Sequence, residues 1–197
     1  MLTKVAEANF PSRFGHFRIY GFEGAYDADI QECVVLRMGD ISSDVEPPLV
    51  RIHSECLTGD VFHSLRCDCR SQLELSLNLI TEEGRGLLIY EHQEGRGIGL
   101  LNKLRAYELQ DGGADTVEAN ERLGFAADLR HYEMPAEILR YFKVKSVRLL
   151  SNNPEKIAAL EQAGIEVTER IPRIVAPHES SAGYLRTKKQ KMGHLLD

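Results

Sequence analysis

Ser71-Gln-Leu-Glu-Leu-Ser-Leu-Asn-Leu-Ile-Thr-Glu-Glu-Gly-Arg-Gly-Leu-Leu-Ile-Tyr-Glu91 is the stretch on which the architecture turns. Leu73, Leu75, Leu77, Leu79 and Ile80 fall in a helix-length segment that Gly84 ends, and Gly86 to Glu91 then reads as a short buried strand. Upstream, Gly15–Glu23, Glu32–Met38 and Leu49–Ser54 are β-prone runs broken by Gly24, Gly39-Asp40 and Pro47-Pro48. Downstream, helical patterns cover Ile98–Gln110, stopped by Gly112-Gly113, and Arg130–Phe142, where Pro135 is expected to kink or restart the helix. Ser146–Leu150 reads as a strand, Pro154–Ala163 as a helix ended by Gly164, and Ile165–Ile171 as a last strand. This order predicts an α/β fold with α+β character: mainly antiparallel strands first, then alternating strand and helix units in one compact domain. A single domain is expected over residues 1–197, with a polar, basic tail from about 178 that holds Arg186, Lys188, Lys189 and Lys191.

The chain has 197 residues and a formal charge of −6, from 24 basic against 30 acidic side chains. That balance argues against a general nucleic-acid binder, which needs a positive surface, but leaves room for a small anionic ligand. Hydrophobic content of 43% is that of a globular protein. Met1–Phe10 has no uninterrupted apolar region of the kind found in secretory signals. Apolar runs such as Leu87-Leu-Ile-Tyr90 fall far short of the ~20 residues that cross a bilayer. A soluble, cytoplasmic protein without a membrane partner is expected. In a reducing compartment Cys33, Cys56, Cys67 and Cys69 are then free, catalytic or metal-bound rather than paired.

Three of the four cysteines cluster, as Cys56 followed by Cys67-Asp68-Cys69. Two thiolates from a Cys-x-Cys turn and a third from a strand end can share one zinc ion. A fourth position left to water marks a catalytic rather than a structural site, and the pKa of that water falls toward ~7. The alternative, three small buried hydrophobes, is less favoured by this spacing. Cys33, mid-strand among apolar neighbours, reads as core. His53 and Glu55 are also possible ligands, but their spacing to Cys56 is too tight for all to chelate together, and Glu55 suits better a place beside the metal, binding a substrate donor or moving a proton.

Several motifs in order resemble the GTP cyclohydrolase II family of riboflavin biosynthesis: Arg51-Ile-His-Ser-Glu-Cys-Leu-Thr-Gly-Asp60, Leu65-Arg-Cys-Asp-Cys69, Gln93-Glu-Gly-Arg-Gly-Ile-Gly-Leu-Leu-Asn-Lys103, Asp115-Thr-Val-Glu-Ala-Asn120, Leu123-Gly-Phe-Ala-Ala-Asp128, Asn152-Asn-Pro-Glu-Lys156 and Thr187-Lys-Lys-Gln-Lys-Met-Gly-His-Leu-Leu196. The resemblance runs from about Val5 to Leu196 and is to the stand-alone form. It implies a zinc hydrolase that opens the imidazole ring of GTP. Formate and diphosphate are released, and 2,5-diamino-6-hydroxy-4-(5-phosphoribosylamino)pyrimidine remains. It implies Cys56, Cys67 and Cys69 as zinc ligands, in agreement with their spacing. It places Arg51, Ile52, His53, Ser54, Glu55, Gln72, Glu94, Gly95, Arg96, Thr116, Ser151 and Lys156 against GTP, with Mg2+ on the triphosphate, in a homodimer. Asp128 is implied as proton acceptor, Arg130 as nucleophile toward the α-phosphate, and Tyr107 as a mark of the full deformylating enzyme. The chain departs from the family's usual residues at Arg70-Ser71, at Ser151 and at His92.

Elementary chemistry supports part of this set. Glu94-Gly-Arg-Gly-Ile-Gly99 reads as a strand-to-helix turn whose amides can approach a phosphate, although such a turn is also a common connector. Arg96 beside it can bind phosphate in a fork. Lys156, close to a helix start, opposes the helix dipole unless an anion sits there. A guanidinium is almost never deprotonated, so Arg130 reads better as a phosphate clamp than as a nucleophile. Two other classes compete. A nucleobase deaminase is suggested by His53-Ser-Glu55 beside thiolates, but those enzymes use Cys-x-x-Cys after a proline. A zinc module that binds nucleic acid is opposed by the acidic balance.

Overall fold

The computed structural model describes residues 1–26, 29–42, 46–126, 128–172 and positions 187, 189, 193 and 195. Strands β1 (Leu2–Ser12), β2 (Gly15–Tyr26) and β3 (Asp29–Met38) form an antiparallel meander, with Ser12 opposite Gly15 at the first hairpin. Strand β4 (Leu49–Ser54) leads through a short α1 (Leu57–Asp60) and then α2 (Cys69–Glu83) to β5 (Gly86–Glu91). A single 3-10 turn (Glu94–Gly97), α3 (Leu100–Asp111), α4 (Thr116–Arg122) and α5 (Glu133–Tyr141) connect to β6 (Ser146–Leu150). Helix α6 (Pro154–Gln162) and β7 (Glu166–Ile171) follow. The seven strands make one sheet, in the order β1-β2-β3-β5-β4-β6-β7. It is antiparallel from β1 to β5 and parallel from β5 through β4 and β6 to β7.

Side-chain alternation along the inner strands explains the layers. Val50, Ile52, Leu87 and Ile89 pack with Ile138 and Leu139 of α5 and Leu160 of α6. Leu49, Leu88 and Leu150 face the other way, against Leu77 and Ile80 of α2. Strands covered on both faces need apolar residues at every position, which is why β5 reads as a continuous run. Cys33 is buried in the first of these cores, as its neighbours predicted.

Local chemistry sets the helix ends. Gly84 takes a left-handed φ of 73° and closes α2. Asn153 caps α6 by accepting from Glu155 N–H, with Pro154 in the first turn. Helix α5 starts at Glu133 rather than Arg130, so Pro135 falls in the first turn, where no backbone donor is required; no kink follows. Helix α3 starts two residues later than expected, at Leu100, because the preceding glycines form the 3-10 turn. The tail from about 178 lies outside the described residues, apart from four single positions.

Because β4, β5 and β6 run parallel, Ser54, Glu91 and Ser151 emerge at one edge of the sheet. Connections leave β4 toward β5 on one side and reach β6 on the other. Ligands of open α/β sheets gather in that kind of crevice.

Candidate active site

The three clustered thiols come together at this edge. Cys56 caps α1, Cys67 sits in the turn before α2, and Cys69 is the first residue of α2. Their sulfur atoms all lie within 4.8 Å of one another, with Cys56 Sγ and Cys67 Sγ 3.7 Å apart. A tetrahedral zinc with Zn–S near 2.3 Å separates its sulfurs by about 3.8 Å, so the donor set fits that ion. Gly59 of α1 makes this approach possible: a Cβ there would lie 2.9 Å from Cys67 Sγ and 3.1 Å from Cys56 Sγ. Hydrogen bonds from Cys67 and Cys69, with Lys103 adding to them, hold the Cys56 thiol well below its ordinary value. Cys67, which shares its proton with that thiolate, is pushed up to about 11.

Charged groups buttress the cluster. Lys103 Nζ donates to Cys56 Sγ at 3.1 Å and to Glu94 Oε1 at 2.7 Å. Glu94 Oε2 accepts from Leu57 N–H at 2.7 Å and so anchors the start of α1. Asp60 accepts from Cys56 N–H at 3.1 Å and from the Tyr90 hydroxyl at 2.8 Å. His53 Nε2 lies 3.1 Å from Asp60 Oδ2, and the His53 ring stacks on Tyr90. Burial keeps His53 below its ordinary pKa, against the pull of Asp60. Tyr107 reaches in from α3, its hydroxyl 3.2 Å from Thr58 Oγ1, with the Arg66 guanidinium over its ring.

A second group of cations lies beyond Ser54. Lys156 is 4% exposed; its Nζ donates to Ile52 C=O at 2.9 Å and lies 3.5 Å from Ser54 Oγ. Burial, then Arg130 and Arg51, push its pKa well below the ordinary value, and an anion placed there would favour its charged form. Arg130 pairs with Asp128 through Nε at 2.9 Å and Nη2 at 2.5 Å, while Nη1 faces Ser54 Oγ at 3.5 Å. Burial raises the Asp128 carboxyl, but Arg130 outweighs it and holds the group below its ordinary range. Glu91, 2% exposed, is pushed by burial up to about 7, against Lys156 and Arg130. Gly95 and Arg96 both have left-handed backbones, with φ near 63° and 64°. For Arg96 that is a strained conformation, of the sort that recurs where side chains are held for function.

The family model described as GTP cyclohydrolase II matches residues 3–172. The chain belongs to the GTP cyclohydrolase II family. It is 54% identical to GTP cyclohydrolase-2 of Haemophilus influenzae strain PittGG, over 98% of this chain and 88% of that one. It is 55% identical to the protein of that name from Yersinia pseudotuberculosis, over 99% and 98% of the two chains. Its identity to the Klebsiella pneumoniae protein of strain MGH 78578 is also 55%, over 100% and 96%. Membership of the GTP cyclohydrolase II family makes the chain a hydrolase.

One cleft is shared by the thiols and Arg130; Lys156, Asp128 and Glu91 are not among the residues that line it. Ser54, Glu55, the three thiol residues, Glu94, Gly95, Arg96, Tyr107, Thr116 and Arg130 all line it. Other residues expected at the nucleotide lie deeper. Ile52 is core and His53 stands behind the thiols. Arg51 donates to Leu150 C=O at 2.8 Å and to Gln72 Oε1 at 2.7 Å, so this pair ties β4, β6 and α2 together. Ser151 is buried and accepts from Asn153 N–H at 3.1 Å, which shapes the loop before Lys156. Residues without a sequence signal of their own include Lys103, Arg66 and Asn120, which also line the cleft. Lys103 closes the glycine-rich motif, but nothing in that motif says that its amine reaches a sulfur.

Proposed function

We propose that this GTP cyclohydrolase II family member hydrolyses GTP, opening the imidazole ring with release of formate and diphosphate and leaving the diaminopyrimidine ribosylamino phosphate. The observation that carries the reading is a cleft lined both by the three convergent thiols and by Arg130. Cys56, Cys67 and Cys69 would hold zinc, and Lys103 offsets part of their negative charge. Zinc bound there would supply Lewis acidity and lower the pKa of a water molecule toward neutrality.

The remaining work falls to the chain's own groups. Glu55, at the cleft beside the thiols, is placed to accept guanine N–H donors or to move a proton. Tyr107, its hydroxyl 3.2 Å from Thr58 Oγ1, would transfer a proton at the departing one-carbon unit. Arg130 and Lys156 converge near Ser54 Oγ and suit phosphate oxygens. Asp128 keeps the Arg130 guanidinium in one plane and, held ionised, can accept a proton. Mg2+ enters with the triphosphate. A homodimer and a cytoplasmic location belong to the same reading; among the described residues no helix is long and apolar enough to cross a membrane. Phe62, Leu65, Leu101 and Leu104 are exposed apolar side chains that a second copy could cover.

The test is to incubate zinc-loaded protein with GTP and Mg2+ and to assay formate and diphosphate together. Both products are expected; ammonia in their place would indicate deamination, and neither product would overturn the assignment. Tyr107→Phe is expected to separate the steps, so that a formamide accumulates while formate falls. An unchanged formate yield would remove Tyr107 from the chemistry.

A further inference from the structure

We propose that Gln93 is a positioning residue that fixes the segment bearing Asp128 and Arg130, and that Glu91 sets the orientation of its amide. The inference rests on the reading above, in which Arg130 and Asp128 act on the phosphate side of GTP. Gln93 lies two residues beyond the end of β5, at the start of the 3-10 turn. Its Oε1 accepts from His131 N–H at 3.0 Å, and its Nε2 donates to His131 C=O at 2.8 Å. One primary amide therefore satisfies both peptide groups of a single residue, much as a neighbouring strand would. The same Nε2 donates to Glu91 Oε1 at 3.0 Å. A reversed amide would set Nε2 against the His131 donor and Oε1 against two acceptors, so only one orientation is left.

The turn grips the segment at a second point. Leu129 N–H donates to Arg96 C=O at 3.0 Å. Gly97, with φ at 89°, leaves no space there: a Cβ would lie 3.0 Å from Leu129 Cβ and 3.1 Å from its carbonyl oxygen. Arg130 is thus held on both sides, through Leu129 and through His131, by the turn that also carries Arg96. The burial of Glu91 has a role in this account. A buried carboxylate is costly unless it is hydrogen-bonded; Glu91 Oε1 accepts from the amide that holds His131, while its Oε2 has no hydrogen-bond partner among the described residues.

Gln93→Met keeps the side-chain length and removes all three hydrogen bonds. The expected result is a fall in kcat of about 10- to 100-fold, the effect of a small misplacement of a catalytic group, with KM for GTP moved by less than about threefold. Amide exchange at Leu129, Arg130 and His131 should quicken and Tm should fall by a few degrees, because Glu91 and His131 lose partners, while zinc content stays at the parent level; a purely structural role would lower Tm and leave the kcat-to-KM split unmarked. Should the Met variant misfold, Gln93→Glu serves, since it keeps the acceptor for His131 N–H but sets a carboxylate against Glu91 and the His131 carbonyl. It should lose at least as much. Arg130→Ala is measured beside them. If Arg130→Ala abolishes turnover while the folded Gln93 variants keep kcat within about twofold, or keep parent exchange rates, the positioning role is wrong and the proposed function stands. If Arg130→Ala leaves turnover intact, the reading of Arg130 fails and the inference falls with it.

Discussion

Cys67→Ser is expected to leave the chain folded but without metal and without measurable turnover. Serine keeps the shape of the side chain and loses the thiolate, and two sulfurs are a poor hold for an ion that takes three protein ligands in an open site. Zinc affinity should fall by more than the ~10- to 100-fold typical of a lost outer partner. Formate release should fall by at least about 1000-fold, equivalent to the several kcal/mol that a bound metal contributes. The fold should persist because Cys67 is half-buried in a turn and belongs to neither of the large cores. Metal analysis, circular dichroism and the formate assay report the three parts separately. Full zinc content with the parent rate would show that the thiol cluster is not the metal centre.

Arg130→Lys is the second large effect, although it keeps the charge. The guanidinium meets Asp128 through two side-chain nitrogens while a third faces Ser54, a planar arrangement that an ammonium cannot copy. A loss of about 100- to 1000-fold in the rate of diphosphate release is expected, the scale for removal of an aligned donor at developing charge. Zinc content should not change, which separates this variant from Cys67→Ser. The clamp role makes a further demand: no phosphoramidate should form on Arg130 in turnover quenched with acid-free denaturant. Trapping one would show that the side chain attacks phosphorus itself.

Much of this arrangement was legible in the residues, for physical reasons. Strands buried on both faces announce themselves as apolar runs, and Cys56, Cys67 and Cys69 stand out because free thiols seldom cluster by chance. Strand β1 was not legible: most of its side chains are exposed, so no alternation between core and solvent marks it. Helix α4 is seven residues long and buries Val117, Ala119 and Asn120, too short a run to show a helical period; its sequence signal is the capping box, Asp115 with Glu118. Pairings such as Gln93 with His131 or Lys103 with Cys56 join residues 38 and 47 positions apart. No local pattern records such contacts, because they exist only once the sheet has brought two loops to one edge.

The mixed sheet also orders the assembly of the protein as it is made. The β1–β3 meander closes through neighbouring strands, and the thiols lie within one short stretch, so both can form from chain already synthesised. Lys156 reaches Ile52 across 104 residues, and Arg51 reaches Leu150 across 99. Long closures of that kind come late and slowly. A nascent chain can therefore bring its three sulfurs together well before it can join Lys156 to Ile52 or Arg51 to Leu150.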